Sequence, residues 1–300
     1  MKGGRMDTAA DKAVIAACSI ICVLFAAFCA MPLWVALVSS FTNENTLIRE
    51  GYRLFVKDFD LTSYKLVFTG SSDVMNAYIV TIVTTFFGMA LTVLLTASLA
   101  YPLSVESVKY RSKISFFIYA TMLFNGGLVP NYLLISRFLH LRDNILVLII
   151  PAALNAYNVF LMRNYFATIP PSLAESARID GATDITIFAK IILPLAKPIL
   201  ATIALFASMG YWNEWYRVLL YIDNRKLFTL QFLIMRLQQQ VDFLTSNLNA
   251  SARAALGNLT IPTIGIRLAT AMISIGPIVL LYPILQRYFI SGIMVGSVKG

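Results

Sequence analysis

Glu175-Ser176-Ala177-Arg178-Ile179-Asp180-Gly181, followed by Ile191-Ile192-Leu193-Pro194, is a short polar island between two long apolar runs. Just upstream stand Thr168-Ile169-Pro170-Pro171-Ser172. The two prolines stop any helix arriving from the preceding run and pre-set the first turn of a new one. Thr168 and Ser172 can cap exposed N–H groups there. Residues 172–179 suit a short helix with Leu173, Ala174 and Ala177 on its buried side. Glu175 in an early turn favours the positive helix end. Asp180-Gly181 then breaks the helix, because glycine enters the left-handed region without a Cβ clash. Thr183 or Asp184 can cap a second short helix running through Ile191, and Pro194 ends it. The expected product is a helix–turn–helix knuckle lying across a membrane surface.

The rest of the chain supplies the membrane. Apolar residues make up 58% and charged residues 13% of the 300, against roughly 45–50% and 25% in soluble domains. Water could not tolerate that much apolar surface; a bilayer removes the problem. Six apolar segments are expected as spans, near residues 13–38, 74–99, 114–135, 144–161, 199–220 and 268–290. Each is long enough, as a helix, to cross a hydrocarbon core of about 30 Å. Helices satisfy their own backbone groups, which lipid cannot do. The fold class is therefore all-α: one polytopic membrane domain over 1–300. The first segment follows Lys2, Arg5 and Lys12, as a signal peptide would. Its apolar run exceeds the usual length of a signal core and no small-x-small cleavage site ends it, so it reads as a retained span.

Charge alone supports one orientation only modestly. The short connection carrying Lys109, Arg111 and Lys113 is the best argument for a cytoplasmic N-terminus. That orientation puts half of the basic residues in the cytoplasm; the other half falls outside, mostly in two long loops where charge carries little topogenic weight. The net charge of +9 does not imply nucleic acid, since no basic patch accompanies it. Cys18, Cys22 and Cys29 share one helix face in the first run and read as small lipid- or helix-facing residues rather than a disulfide or metal site. His140 is the sole histidine, and no metal site is expected. The chain lacks a phosphate-binding G-x-x-x-x-G-K-[ST] loop, and no nucleophile–base–acid set stands out.

The island at 175–194 resembles the coupling loop of ABC importer permeases, with its E-[small]-A-x-x-x-G-x9-I-x-L-P pattern; the usual first Ala after the Glu is Ser176 here. The resemblance implies the type I ABC importer permease fold, with residues 168–194 as a cytoplasmic loop docking on an ATPase. Glu175 and Gly181 would sustain that contact, with Ser176, Ala177, Ile179, Asp180 and Ala182 around them. It also implies both termini in the cytoplasm of a bacterial inner membrane. The partners would be a homologous permease, a dimer of ATPases, an extracytoplasmic sugar-binding protein and membrane lipid. The chain itself would need no cofactor and catalyse nothing, ATP and Mg belonging to the partner ATPase.

Tyr211-Trp212-Asn213-Glu214-Trp215 and the ending from Tyr282-Pro283 through Lys299-Gly300 resemble the second permease of maltose-type carbohydrate importers, in the branch of alginate- and rhamnogalacturonan-type systems. Sugars are held by aromatic faces and placed polar groups. Asn125, Asn131, Tyr132, Asn155, Tyr157 and Asn158 put such groups in or beside the third and fourth spans. They are candidates for the substrate path, or equally for hydrogen bonds between helices. Trp212 and Trp215 suit interfacial anchors. In the long outer loop, 221–267, residues 227–244 look helical, and Gln238, Gln239, Asn247 and Asn249 are candidates for docking the binding protein. The first outer loop, residues 39–73, would share that surface. Three competing readings stay open here: an ion-coupled carrier, a membrane scaffold, and an importer of peptides or anions. The spans carry almost no ionisable group apart from Glu214, which argues against the carrier.

Overall fold

A computed structural model describes residues 9–69, 73–247 and 264–276. Among them there is no β-strand, only an isolated antiparallel bridge between Thr42 and Phe59. The described chain falls into two compact units where the sequence suggested one domain. One comprises residues up to 71 together with 241–273; the other comprises 72–240 and 274 onward.

The first unit begins with α1 (Ala9–Ser40), a single helix whose most apolar window is wholly exposed. A helix facing lipid needs no protein core, so the apolar window of α1 can stay exposed; only its end, at Val38, Ser39 and Ser40, is buried. Two short helices follow, α2 (Glu44–Glu50) and α3 (Thr62–Thr69). Asn43 caps α2 through its side-chain oxygen, and Asp60 takes the backbone N–H and hydroxyl of Thr62 at the start of α3. Phe41 stacks between Phe59 and Tyr64. Glu44 is buried and accepts the backbone N–H groups of Ile264 and Gly265 at 3.0 and 2.8 Å. Those two residues open the helix Ile264–Gly276, the described part of the sixth expected span. A carboxylate there compensates the orphan donors and positive end of the helix. Residues beyond 276, including the glycine-rich tail, lie outside the described part.

In the second unit α4 (Asp73–Ser104) is the spine, and it packs on α8 (Ala156–Phe166) and α12 (Lys197–Trp212). Three expected spans are not continuous helices. The third, 114–135, is α5 (Arg111–Leu123) and α6 (Leu128–Leu133, extended by a π turn to Phe138), bent by 113°. Asn125 makes the break, its side-chain oxygen accepting the N–H of Gly127, which sits at φ 84°. The fourth, 144–161, is α7 (Leu146–Ile149, with a 3-10 turn to Ala152) and α8, bent by 50°. Pro151 removes a donor, and Asn155 restarts the chain by capping α8. The fifth, 199–220, is α12 and α13 (Tyr216–Tyr221). Between them Glu214 accepts the N–H of Arg217 at 2.8 Å and pairs with its guanidinium.

Two apolar clusters hold this unit. One joins Val80, Val147, Leu148, Val218, Tyr221 and Phe232. The other joins Ala100, Leu103, Met162, Phe166, Ile187, Ile192 and Ile203, and the knuckle is built on it. Midway, Tyr211 reaches from α12 to donate its hydroxyl to the Ile149 carbonyl at 2.8 Å. Its ring lies so close to Gly88 on α4 that a Cβ there would overlap it.

Candidate functional site

The knuckle is formed by α9 (Pro171–Ile179) and α10 (Asp184–Ile187). Pro171 opens α9, as the missing proline N–H costs nothing at a first helical position. At the other end Gly181 sits at φ 84°. Its N–H bonds to the Arg178 carbonyl at 3.0 Å, and the Ala182 N–H reaches back to the Ala177 carbonyl at 2.9 Å. That pair of bonds is the Schellman closure, with glycine in the left-handed position where other residues are strained. Thr183 caps α10, accepting the Thr186 N–H, and its hydroxyl meets the Thr186 hydroxyl at 2.9 Å. Arg178 spans the turn to Asp184 at 3.0 Å. As an exposed pair it is worth about 1 kcal/mol or less. The backbone closure and the caps therefore set the shape, and the ion pair only trims it.

Beyond α10 the helix widens to a π turn over Phe188–Ile192, just ahead of Pro194, which has no N–H to offer. The stretch Asp184–Leu195 then meets α12 at 81°. The corner is Ala196, fully buried. Arg163 on α8 donates to the Leu103 carbonyl at 3.0 Å, tying α8 to the C-terminal end of α4 beside the knuckle.

The knuckle's side chains divide sharply. Ala174, Ala177 and Ala182 lean on the core cluster, so their contacts are made within this chain. Glu175, Ser176 and Asp180 are exposed. Ile179 is 87% exposed and Ile185 is 80% exposed, a pair of aliphatic knobs on the outside of the turn. Ile185 escaped the sequence reading. An isoleucine two residues before a buried Ile187 could have been assigned to either face, and only the placement of α10 decides.

Two clefts flank the knuckle. One, of about 550 Å³, lies between α9 and the 104–107 turn and is lined in part by Glu106, Pro171, Glu175 and Arg178. The other, of about 470 Å³, is lined in part by Val105, Asp184, Ile185 and Phe188. Tyr101 forms the wall common to both and stacks on Phe188 at 5.1 Å. Among the described residues no group of acidic, histidine and cysteine side chains could hold a metal ion. The arrangement presents a rigid, partly apolar, partly acidic protrusion with recesses beside it. A protrusion of that shape can be held by a complementary recess of another macromolecule.

The candidates for a substrate path sit around the two helix breaks. Asn125 and Asn155 use their side-chain oxygens on the backbone there, Asn155 accepting from Tyr157 at 2.9 Å and Asn158 at 3.3 Å. Asn131 and Tyr157 are exposed, Asn158 is nearly buried, and Tyr132 stacks on Tyr221. The tertiary fold does not gather the six into one described pocket. Of the outer-loop candidates, Gln238 and Gln239 lie on α14 (Leu230–Asn247), half-buried and exposed respectively. Asn247 ends that helix, and Asn249 lies outside the described residues.

Comparison with known proteins fits this geometry. The model of the family described as "Binding-protein-dependent transport system inner membrane component" matches residues 15–295. Protein LplC of Bacillus subtilis is 37% identical over 270 residues, covering 90% of this chain and 89% of that protein. The polygalacturonan/rhamnogalacturonan transport system permease protein YtcP of the same organism is 33% identical over 279 residues, covering 93% and 95%. A chain from the crystal structure of a bacterial ABC transporter involved in the import of the acidic polysaccharide alginate superposes with a TM-score of 0.79 at 30% identity, covering 94% of this chain and 98% of that one.

Proposed function

Since this chain belongs to the family of binding-protein-dependent transport system inner membrane components, we propose that it is a permease subunit of an oligosaccharide importer, coupled to its ATPase through the knuckle at 170–196. As a membrane permease the chain is not an enzyme, and ATP hydrolysis belongs to separate ATPase subunits. A partner permease, an ATPase and a substrate-binding protein accompany permeases of this family. In the finer reading the permease partner is homologous, two ATPase subunits carry the ATP and Mg, and both termini of this chain are cytoplasmic. Carbohydrate cargo is supported by the cargo named for YtcP and for the alginate importer.

The carrying observation is the Schellman-closed turn with Ile179 and Ile185 turned outward and Ala177 and Ala182 turned into the core. A seat of that shape transmits force. The core cluster under the knuckle contains residues of α4, α8, α10 and α12. A push on the knuckle therefore moves packed helices together rather than bending one loop. Closure of the ATPases around ATP would rock these helices between inward- and outward-facing arrangements, as bundles do in transporters generally. Glu175 and Asp180 add acidic groups to the rim of the seat. The helix breaks at Asn125 and Asn155 place irregular backbone inside the membrane-spanning part. Lipid tolerates that only where protein or a watery path covers it, which makes those breaks the preferred place for the sugar to pass.

The test is uptake by the assembled importer in proteoliposomes, with binding protein outside, ATP inside and a panel of labelled oligosaccharides, peptides and anions. ATP-dependent accumulation of an oligosaccharide is the expected result. Accumulation of a peptide or an inorganic anion instead, with no carbohydrate moved, would overturn the cargo assignment. Asn155→Ala should raise the KM for sugar while leaving basal ATPase activity in place; an unchanged KM removes that residue from the path.

A further inference from the structure

The loop that follows α2 turns back toward the membrane instead of standing away from it. Gly51 sits at φ 72°, where the chain leaves α2 and reverses. The indole N–H of Trp34 then donates to the Leu54 carbonyl at 2.9 Å. The return limb bridges Phe59 to Thr42, two residues past the end of α1. The helix that holds this loop sets its level. The apolar stretch Ala13–Ser40 has 28 residues and so is about 42 Å long at about 1.5 Å per residue. Centred on a hydrocarbon layer of about 30 Å, it protrudes about 6 Å at each end. Trp34 is six residues before Ser40, hence about 9 Å down the helix from its end. The Trp34 backbone thus lies about 3 Å inside the hydrocarbon boundary, and the Leu54 carbonyl bonded to its indole lies near that boundary.

The side chains suit that depth. Phe55 is 79% exposed, and Tyr52, Leu54, Val56 and Phe59 are exposed with it. They continue the exposed apolar face formed by Leu33, Trp34 and Leu37 on α1. At the neck of the loop Glu50 pairs with Arg53 at 2.9 Å and Lys57 at 2.7 Å. Arg53 and Lys57 are long basic side chains of the kind that reach up from an apolar seat to the level of lipid phosphates. The Leu54 carbonyl, which lipid could not satisfy, has its donor in Trp34.

We propose that residues 51–59 form a lipid-seated finger, with Leu54, Phe55 and Val56 in the headgroup–acyl boundary on the side where α1 ends at Ser40. The occupant of this apolar surface is the bilayer itself, not the binding protein or the partner permease. Seated there, the finger fixes the depth and tilt of α1, whose apolar window is left exposed by the described residues of this chain.

The experiment places a nitroxide at Phe55→Cys in a chain whose native cysteines are serine, in the assembled importer reconstituted in phosphatidylethanolamine–phosphatidylglycerol nanodiscs. Collision with dissolved oxygen is compared with collision with a water-soluble nickel chelate, and Asn45→Cys on α2 serves as the control. The expected oxygen-to-nickel ratio at position 55 is several-fold above that at position 45. A ratio equal to the control places the finger in water and overturns the proposal. Protection from both reagents places protein over the finger and overturns it equally.

Discussion

Gly181 is the residue on which the coupling seat can be tested most sharply. Its φ of 84° lies in the region that L residues enter at a cost of about 1–2 kcal/mol. A Cβ built on it meets nothing within 4 Å. The penalty for a substitution is therefore one of backbone conformation alone, without any clash to confuse it. Two courses are open to a variant. It can hold the turn and carry the strain, or it can relax and lose the bonds from Gly181 to Arg178 and from Ala182 to Ala177, each worth about 0.5–1.5 kcal/mol. Either way the seat in its native shape is disfavoured by about 1–2 kcal/mol, and its population falls by a factor of about 5–30. The order of damage follows backbone tolerance: asparagine, which visits the left-handed region, least; alanine next; the β-branched valine most. The assay is the affinity of the purified permease complex for its ATPase subunit, followed by substrate-stimulated ATP turnover. We expect Gly181→Val to weaken assembly by tenfold or more, while membrane insertion and expression stay normal. Equal affinity for Gly181→Val and Gly181→Asn would refute the reasoning, because the partner would then not be reading the turn's backbone.

Glu175→Lys reverses the charge on an exposed early position of α9; insertion should be unaffected while stimulated ATPase activity and uptake fall together, and normal uptake by this variant would remove Glu175 from the seat. Gly88→Val drives a side chain into the ring of Tyr211, so the detergent-solubilised complex should lose about 1–3 kcal/mol by overpacking, read as a lowered Tm. An unchanged Tm would mean that α4 and α12 can separate freely at that point. Asp60 titrates below the usual carboxylate range, first because the Thr62 hydroxyl and then its backbone N–H bond to the ionised form. A depressed folded-state pKa contributes stability that is complete above the unfolded value of about 3.9 and is lost as pH falls through the folded one. Proteolytic protection of the 41–69 segment should therefore decline below about pH 4, and Asp60→Asn should flatten that decline; identical acid profiles would contradict the assignment.

The sequence alone was enough for the all-α membrane architecture and for the knuckle. Both rest on local and compositional facts. Runs of apolar residues long enough to cross hydrocarbon have few alternatives, and Pro170-Pro171, Asp180-Gly181 and Pro194 dictate where backbone can and cannot be helical. Asn125-Gly126-Gly127 and Pro151 with Asn155 carry local chemistry that breaks helices, to which span length, a matter of apolar content, is blind. Which face of the knuckle looks outward was a tertiary decision. Periodicity puts Ala177 on the inner side of α9, but Ala182 in the turn and Ile185, two residues before a buried Ile187, are apolar residues whose side the sequence leaves open. In the closed chain the two alanines pack against the core cluster, and the two isoleucines are left outside. The same holds for contacts between residues far apart in the chain. Glu44 is one acid in a loop until the N–H groups of Ile264 and Gly265 are brought to it, and nothing local joins Trp34 to Leu54, twenty residues on, until the chain folds back and the indole N–H meets the Leu54 carbonyl. Local chemistry sets where a helix starts and stops; only the closed chain brings a distant donor and acceptor within 3 Å of each other.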